Sequence, residues 1–540
     1  MTRLSIQHYL VTAEQMQQIE QRIFDSGMPV EALMEKVSGR ITQRFIQCLD
    51  RWQEGAQKKM PPRAKAIGIL AGPGHNGGDA LVVARELHFL GYKVQVYQPF
   101  SSVKPLTASH ARYAKSLDIG FVDSIHDLKN CEAIIDGWFG FGLARPIEGN
   151  LAADVSALNQ QNIPVFSIDL PSGIHTDTGE VMGTAIKATH TACLGLWKKG
   201  FMQAQALANL GECELVNFDI PLSDISAVLG DDPLVQRLTA EHAIAYLPLD
   251  RPATAHKYTA GHLLLVAGSR TYAGAALLSG LGAVASGVGM LTVAVPESIR
   301  LALLPQLPGA LLIGCPETEG GAIARFPEGF EIDSYDAIAF GPGLTPTVPA
   351  LLETVLSADC PLLLDADGLN LLAQNAPIET LQARSMPTIL TPHVGEFKRL
   401  FPHAPNATIS GDAAYQAAKD SGAVILLKGP RSAIATSDHL WFNPHSTPAL
   451  ARGGSGDVLT GLMGGLLASR IKTASTKSKL PLHPDRTVQV STSDTVKAVL
   501  SAVWWHSQAA VYASKNRTIL GVDPLHLAHS LNLALNLSIV

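Results

Sequence analysis

A glycine-rich segment followed by an aspartate, near residue 455, has the residue types that phosphoryl transfer requires. Residues 451–457 read Ala-Arg-Gly-Gly-Ser-Gly-Asp and lead into an apolar stretch, Val458 to Ser469, that we predict to be a helix. Glycines at a helix start present free N–H groups to an anion, and the carboxylate of Asp457 is placed to take a proton from a hydroxyl. Phosphoryl transfer needs both features. The alternative is a glycine-rich cap in which Asp457 favours the helix dipole.

Several other polar segments of the C-terminal half follow short apolar runs that we predict to be strands. Residues 428–432, Lys-Gly-Pro-Arg-Ser, offer cations and amides to the phosphates of a nucleotide. His393 has Glu396 near it at a strand end, which favours a functional role over that of a single surface or core histidine. Further segments of this kind are Gly341 to Gly343, Asp365 to Asn370 and Thr391 to Glu396.

The N-terminal half has a second glycine-rich segment at a strand end. Residues 72–79 read Gly-Pro-Gly-His-Asn-Gly-Gly-Asp, follow a strand that ends at Leu70 and precede a helix predicted over Asp79 to Leu90. Glycines let the backbone approach a ligand closely and direct free amides at phosphate. A tight turn with Asp79 as the helix N-cap is the alternative. The segment is neither the G-x-G-x-x-G fingerprint nor a Walker A loop.

Two aspartates, an amide and a hydroxyl also fall near predicted strand ends in this half. Asp136 and Asp169 end or follow apolar runs, and Ser172 comes shortly after Asp169. Because open parallel sheets bind ligands beyond the carboxyl ends of their strands, we expect these groups to share a crevice. The oxygens of Asn76, Asp136 and Ser172 would give a cation site of low charge, suited to a monovalent ion. Capping or turn formation is the alternative for each aspartate alone.

Strands and helices alternate along both halves, which is typical of parallel sheets with crossover helices. Residues 219–260, with several prolines, separate the two series, so we predict an α/β protein with domains at 1–240 and 241–540. Residues 12–47 predict two amphipathic helices divided at residues 27–29. The predicted strands are Ala66 to Leu70, Val94 to Tyr97, Ala133 to Ile135, Val165 to Ile168, His262 to Ala267, Leu291 to Val295, Ala337 to Phe340, Leu362 to Leu364, Thr388 to Leu390 and Val424 to Leu427.

Two stretches depart from this alternation. Ala273 to Val295 has no charge and is long enough to cross a bilayer. Its small residues and the glycines at 287 and 289 favour a buried helix followed by a core strand instead. Residues 471–496 are rich in Ser, Thr and Lys, and they predict an exposed loop inserted in an apolar helical region.

The composition excludes several classes of function. Of the 540 residues 46% are hydrophobic and 16% are charged, which suits buried cores and not a disordered chain. The net charge of −6 disfavours a nucleic-acid partner. The six cysteines lie far apart, as expected of reduced thiols in a cytoplasmic protein. We expect no secretory signal and no membrane partner, and we expect a homo-oligomer that acts on small molecules.

Over residues 10–235 the chain resembles the NAD(P)H-hydrate epimerase family, also called the YjeF N-terminal domain. The resemblance implies that Asn76, Asp136 and Ser172 bind K⁺ and that Asp169 contacts the substrate. Epimerisation moves a proton while a carbon–oxygen bond breaks and reforms, so Asp169 is the candidate acid/base. The family usually has asparagine where His75 stands. The residues implied to hold hydrated NADH or NADPH are His75, Asn76, Gly77, Gly78, Asp79, Gly140, Phe141, Gly142, Leu143, Ala144, Arg145, Pro146 and Asp169.

Residues 245–540 look like the ADP- or ATP-dependent NAD(P)H-hydrate dehydratase family, a branch of the ribokinase-like superfamily. The match rests on the segments at 256–258, 267–270, 341–344, 364–370, 428–429 and 453–457. Val394 stands where the family usually has proline. The resemblances imply a Rossmann-like three-layer αβα domain followed by a ribokinase-like αβα domain. They imply that Ala275, Gly343, His393 and Asp457 contact the hydrated substrate, and that Lys428, Gly429, Pro430, Arg431, Ser432 and Gly456 hold ADP or ATP, with Mg²⁺ at its phosphates.

The two resemblances together predict an enzyme that repairs hydrated NADH and NADPH. Hydroxide is a poor leaving group, so Asp457 would deprotonate the ring hydroxyl, the hydroxyl would take a phosphoryl group, and elimination of phosphate would restore the ring. The epimerase would interconvert the R and S hydrates, of which the dehydratase uses the S form. Two alternatives stay open: a kinase for a vitamin-like or sugar alcohol that uses the same Asp457, and an N-terminal half that binds ligands without catalysis.

Overall fold

Both halves of the chain fold as α/β units. The computed structural model describes residues 6–54, 66–346, 348–404, 411–477 and 492–539. The chain divides into two compact units, Met1–Val235 and Gln236–Val540. The buried apolar residues from 6 to 225 and those from 238 to 535 form separate core clusters, so each unit has a core of its own.

The N-terminal unit is built on a seven-stranded parallel sheet with helices packed against it. Its helices are α1 (Ala13–Asp25), α2 (Val30–Glu54), α3 (His75–Phe89), α4 (Pro105–Ser116), α5 (Gly149–Asn159), α6 (Leu207–Leu210) and α7 (Leu222–Leu229). Its strands are β1 (Leu10–Val11), β2 (Ala66–Ala71), β3 (Lys93–Tyr97), β4 (Gly120–Val122), β5 (Ala133–Gly137), β6 (Val165–Ile168), β7 (His190–Leu194), β8 (Trp197–Lys198) and β9 (Glu212–Val216).

The strand order of this sheet places the glycine-rich segment at a favourable position for binding. The order is β4-β3-β2-β5-β6-β7-β9, with every pair parallel. The chain leaves β2 toward β3 on one side and later returns to β5 on the other. Such a switch point opens a crevice at the carboxyl ends of the strands. The loops after β2, β5 and β6 therefore meet at one edge.

The C-terminal unit has a larger sheet of ten strands. Its helices are α8 (Ala240–Ala245), α9 (Ala273–Ala285), α10 (Glu297–Leu303), α11 (Pro349–Leu356), α12 (Asp367–Leu372), α13 (Pro377–Gln382), α14 (Val394–Leu400), α15 (Gly411–Ser421), α16 (Ser455–Lys477), α17 (Thr492–Arg517) and α18 (Pro524–Ile539). Its strands are β10 (Val235–Arg237), β11 (His262–Val266), β12 (Met290–Pro296), β13 (Leu311–Cys315), β14 (Ala337–Phe340), β15 (Leu362–Leu364), β16 (Thr388–Leu390), β17 (Val424–Leu427), β18 (Ala433–Ala435) and β19 (Leu440–Phe442).

The order of this second sheet is β10-β19-β18-β17-β16-β15-β14-β11-β12-β13. The strands from β11 to β17 pair in parallel, and β17, β18 and β19 form an antiparallel edge. The residues of β14, β15, β16, β17 and β18 are all buried, as expected of central strands covered on both faces, whereas the edge strands β10 and β13 are mostly partly exposed. The loops after β14, β15, β16 and β17 consequently lie side by side at the carboxyl edge.

The predicted strands are confirmed to within two residues, but two helices begin earlier than predicted. α3 begins at His75 with Gly74 as its N-cap, so the interpretation of Asp79 as the N-cap is wrong. A Cβ on Gly77 would overlap the carbonyl oxygen of Gly72, so the glycines here serve close packing of the helix start against the strand end. α16 begins at Ser455, which puts Asp457 in its first turn.

The prediction of an exposed loop over residues 471–496 is wrong at both ends. α16 continues through Lys477 and α17 begins at Thr492, so both helices extend into the polar stretch. Residues 478–491 lie outside the described residues. The uncharged stretch beginning at Ala273 is a helix and a strand, as predicted, and no helix among the described residues has the length and hydropathy to cross a membrane.

Candidate active sites

A cavity of about 1430 Å³ lies in the N-terminal unit at the carboxyl edge of its sheet. Most of the residues predicted there to hold the substrate line this cavity. Gly77 and Gly78 do not, because both are buried and a side chain on Gly78 would meet Met34. The predicted residues that line the cavity are His75, Asn76, Asp79, Gly140, Phe141, Gly142, Leu143, Ala144, Arg145, Pro146 and Asp169.

Asp169, the predicted acid/base, is held by a buried lysine that the sequence reasoning missed. The Lys198 ammonium lies 2.5 Å from Oδ1 of Asp169, and both side chains are almost completely buried. The backbone N–H of Phe141 donates to Oδ2 of Asp169 at 2.9 Å. Burial opposes the charged form of Lys198, but Asp169 outweighs it and raises the pKa of the lysine. The ion pair fixes the position of the Asp169 side chain at the cavity wall.

Two further carboxyl groups line the same cavity. Burial raises the pKa of Glu20 to about 7, against the lowering effect of Lys198. Burial also raises the pKa of Asp79 well above its usual value, although the Ser38 hydroxyl donates to it at 3.1 Å. In both carboxyl groups, burial therefore favours the protonated form.

Asp136 and Ser172, two of the predicted potassium ligands, are in direct contact beneath the cavity. The Ser172 hydroxyl donates to Oδ1 of Asp136 at 2.6 Å, and the Ser172 N–H donates to Oδ2 at 2.8 Å. Burial raises the pKa of Asp136 in spite of these hydrogen bonds. The third predicted ligand, Asn76, has a buried amide nitrogen with no hydrogen-bond partner among the described residues. Its Oδ1 lies beside Gly140, where the Asp169 carboxylate also approaches.

Asn76, Asp136 and Ser172 carry the types of oxygen atom that a monovalent cation accepts as ligands. A cation next to Asp136 would offset the desolvation of its carboxylate, which now raises the pKa of that group. One carboxylate, one hydroxyl and one amide oxygen carry a single negative charge between them.

His75 also lines the cavity. Burial and the nearby Lys104 lower the pKa of His75, which favours the neutral imidazole.

In the C-terminal unit a buried ion pair lies under the start of α16. The Lys428 ammonium is 2.7 Å from Oδ1 of Asp365, and the Thr460 hydroxyl donates to Oδ2 at 2.7 Å. Burial opposes the charge on Asp365, but Lys428 outweighs it and lowers the pKa of the carboxyl group. A Cβ on Gly456 would lie 3.6 Å from the Lys428 ammonium. The glycine-rich helix start therefore lies against this lysine.

Asp457 lies in the first turn of α16, near Asp365 and Lys428, and is partly exposed. Burial and the nearby carboxylate of Asp365 raise the pKa of Asp457 to about 6, against the lowering effect of Lys428. A carboxylate with that pKa is ionised at neutral pH and is still basic enough to take a proton from a hydroxyl. The buried His506 lies against the first residue of α16. Its Nε2 is 2.9 Å from the Ser455 carbonyl oxygen, and burial lowers the pKa of His506 to about 4.

The other predicted residues of this half fall into two groups. Gly343 and Ala275 are neighbours, since a Cβ on Gly343 would lie 2.8 Å from the Cβ of Ala275. His393 forms a parallel bridge with Lys428 and caps α14, where its imidazole accepts from the N–H of Gly395 at 2.9 Å. The remaining nucleotide-binding candidates, Gly429, Pro430, Arg431 and Ser432, form the turn between β17 and β18.

Sequence reasoning missed Lys198, Glu20, Thr460 and His506 as members of these sites, and it used Asp365 only as part of a motif. Signals for two of them exist. Glu20 lies one turn after Met16 on the apolar face of α1, where a carboxyl group is out of place. Lys198 ends an apolar run from residue 192 to residue 197. The buried threonine and histidine have no such signal, because both types are common in helix interiors.

Comparison with known proteins gives the same division of the chain. The family described as NAD(P)H-hydrate dehydratase matches residues 263–533, and the family described as YjeF-related protein N-terminus matches residues 30–200. The ADP/ATP-dependent NAD(P)H-hydrate dehydratase of Bacillus subtilis, co-crystallised with ATP and Mg²⁺, is 34% identical to this chain. The match covers 56% of this chain and 98% of that protein, with a TM-score of 0.45.

Two similar full-length relatives carry the name bifunctional NAD(P)H-hydrate repair enzyme. The protein of Synechocystis is 49% identical, over 97% of this chain and 94% of the relative. The protein of Thermosynechococcus vestitus is 47% identical, over 97% of this chain and 96% of the relative. The folds and the polar sites at both sheet edges define a two-domain α/β enzyme with a parallel sheet in each unit. More particularly, the chain belongs to the family of bifunctional NAD(P)H-hydrate repair enzymes.

Proposed function

We propose that the chain epimerises hydrated NADH and NADPH in its N-terminal unit and dehydrates the S hydrate in its C-terminal unit with ADP or ATP. One observation carries this proposal: each unit places candidate acid/base carboxyl groups next to a buried lysine at the carboxyl edge of its sheet. Asp169 pairs with Lys198 in the first unit, and Asp457 lies beside Lys428 in the second. Both are sites for moving a proton on a bound alcohol.

In the C-terminal unit, Asp457 deprotonates the ring hydroxyl of the hydrate. The hydroxyl oxygen then attacks the terminal phosphoryl group of the nucleotide, whose charge the α16 amides and Lys428 stabilise, and the P–O bond to the rest of the nucleotide breaks so that AMP or ADP leaves. Phosphate, a better leaving group than hydroxide, then departs with the electrons of the carbon–oxygen bond as the ring nitrogen supplies an electron pair. Loss of a proton from the neighbouring ring carbon restores the ring double bond and the nitrogen lone pair. Mg²⁺ bound with the nucleotide would supply charge neutralisation at its phosphates.

In the N-terminal unit, the cavity encloses the hydrated ring and Asp169 moves the proton. Asn76, Asp136 and Ser172 would hold K⁺, which would supply a fixed positive charge near the substrate. The loop at residues 140–146 would contact the dinucleotide. The domain limits 1–240 and 241–540, the homo-oligomeric state and the cytoplasmic location remain predictions of the sequence.

The test supplies a mixture of R and S hydrates of NADH with ADP or ATP and follows nicotinamide absorbance at neutral pH. Asp457→Asn is expected to stop recovery of NADH from both epimers. Asp169→Asn is expected to leave the recovery of the S epimer unchanged and to slow that of the R epimer to the spontaneous rate. A full rate for both epimers in Asp169→Asn would refute the epimerase assignment, and a phosphorylated product that persists would instead identify a kinase.

A further inference from the structure

Glu20 is a carboxyl group of the N-terminal cavity to which the proposed function assigns no role. It lies on α1 on the same face as Met16 and Ile23, which are both buried in the core, and its side chain lines the cavity wall. In the part of the chain that the structure describes, no hydrogen bond to the Glu20 carboxyl is present. A buried carboxyl group without such a partner is costly to ionise and stays available to a ligand.

Three charged or titratable groups from other elements face Glu20. They are Lys198 of β8, Asp169 after β6, and Asp79 of α3. Burial raises the pKa of Glu20 to about 7, Lys198 lowers it and Asp169 raises it. The Lys198 ammonium is 2.5 Å from Asp169, and no ion pair joins it to Glu20 among the described residues, so the two carboxyl groups have different environments although they share one cavity. Pairs of carboxyl groups with divided protonation states are a recurrent basis of acid/base catalysis.

Asp79 is a weaker candidate than Glu20 for an acid/base group in this cavity. Its carboxyl group accepts a hydrogen bond from Ser38 and it belongs to the tightly packed start of α3. Glu20 instead has a longer side chain on a helix whose polar residues Gln17 and Gln21 also line the cavity. Unlike Asp79, Glu20 has no hydrogen bond among the described residues that would hold its carboxyl group away from a bound ring.

We propose that Glu20 is the proton donor of the epimerisation and that Asp169 is the matching base. The proposal rests on the epimerase function proposed above for this cavity. It adds a second catalytic residue to that reaction, on an element outside the glycine-rich segment and the sheet loops.

The step balances as follows. Glu20 gives its proton to the hydroxyl oxygen of one epimer, and the carbon–oxygen bond breaks so that water leaves. The ring nitrogen supplies the electron pair for a carbon–nitrogen double bond. A water molecule on the other face forms the new carbon–oxygen bond and gives a proton to Asp169. The opposite epimer results, and exchange of both protons with solvent restores the starting state. The reverse reaction uses the same two groups with their roles exchanged.

The test compares Glu20→Gln with the full-length wild-type protein and with Glu14→Gln, a control on an exposed part of the same helix. Purified R hydrate of NADH is the substrate, and chiral separation measures its conversion to the S hydrate without nucleotide, corrected for the spontaneous rate. Glu20→Gln is expected to lower kcat by about 100-fold or more, with KM changed by less than about threefold. Glu14→Gln is expected to match the wild type.

The pH profile separates proton donation from a structural role. The wild-type rate is expected to fall as pH rises through about 7, because Glu20 loses its proton there, and this fall is expected to be absent in Glu20→Gln. Glu20→Asp, which keeps the carboxyl group, is expected to restore part of the rate and the pH dependence. A melting temperature equal to that of the wild type shows that the variants are folded.

The outcomes for Glu20 and for the epimerase function can be told apart. A Glu20→Gln protein with the wild-type rate and pH profile overturns the proposal while the epimerase function stands. A folded wild-type protein that does not accelerate the conversion overturns both. Equal rates in Glu20→Gln and Glu20→Asp, with the wild-type pH profile kept in both, also overturn it.

Discussion

At the scale of single residues, each site contains a lysine that forms an ion pair with a carboxyl group. Lys198 pairs with Asp169 and Lys428 pairs with Asp365, and all four side chains are largely removed from solvent. Taking one partner away from a buried pair leaves an uncompensated charge, which costs more than the pair itself contributes to stability. The lysines are therefore positioning residues whose loss affects activity and folding together.

Lys198→Met is expected to destabilise the N-terminal unit by about 3–5 kcal/mol, because the Asp169 carboxylate is left buried without its cation. Epimerase activity is expected to fall with it. Urea unfolding followed by fluorescence measures the first effect, and Lys187→Met, an exposed change in the same unit, is the control. The double variant Lys198→Met with Asp169→Asn is expected to recover part of the stability. A wild-type unfolding curve for the single variant would contradict the role given to this pair.

The raised pKa of Asp457 predicts the pH dependence of dehydration. The base must be ionised to act, so kcat/KM for the S hydrate is expected to rise as pH increases through about 6 and to level off above it. Lys428 lowers this pKa, so Lys428→Met is expected to move the rise to higher pH in addition to weakening nucleotide binding. Initial rates between pH 5 and pH 8 test this. A flat profile over that range would remove Asp457 as the base.

At the scale of elements, the start of α3 is fitted against the end of β2 so closely that only glycine is accommodated. Gly77→Ala is expected to destabilise the N-terminal unit by about 1–3 kcal/mol, because its Cβ would overlap the Gly72 carbonyl oxygen. Gly39→Ala is the matched control, since no atom lies within 4 Å of a Cβ there and the residue is inside α2. That control is expected to stabilise by about 0.5–1 kcal/mol. Equal effects of the two changes on urea unfolding would argue against the close fit.

A buried histidine joins α2, β7 and β9. Burial opposes the charged form of His190, but the nearby Cys48 and the hydrogen bond to Glu214 outweigh it and raise its pKa to about 9. A raised pKa means that the stabilisation is fully present below about pH 6.5 and is lost as pH rises through about 9. The melting temperature of the N-terminal unit is expected to fall over that window. His190→Gln is expected to remove this fall, whereas His126→Gln, an exposed control, is expected to keep it.

At the scale of the whole molecule, the separate core clusters of the two units predict that each folds alone. Residues 236–540 expressed without the first unit are expected to dehydrate the S hydrate at the full-length rate and to leave the R hydrate to spontaneous epimerisation. Adding residues 1–235 in trans is expected to restore recovery of both. Circular dichroism and nicotinamide absorbance measure the two effects. Loss of helical signal in either fragment would contradict independent folding.

Much of this architecture follows from local sequence. Apolar runs of strand length, alternating with helical stretches, located the strands to within two residues, because burial of a parallel strand on both faces leaves a continuous apolar run. The same pattern placed Asp136, Asp169 and the segments at 428–432 and 451–457 at strand ends or helix starts. Since parallel strands end at one edge, their position in the sequence already indicated that the groups of each half meet there.

Only the tertiary structure decided which side chains touch. Asp169 and Lys198 are 29 positions apart in the sequence, and the pairing of β6 with β7 brings them together. Asp365 and Lys428 are 63 positions apart, and they meet because β16 pairs with both β15 and β17. Glu20 reaches the same cavity from α1, which precedes β2, the first strand along the chain of the seven-stranded sheet. Local spacing reports which face of an element is buried, but not what packs against that face. The charge state of a buried carboxyl group depends on that packing, because desolvation and the distance to the nearest cation together set its pKa.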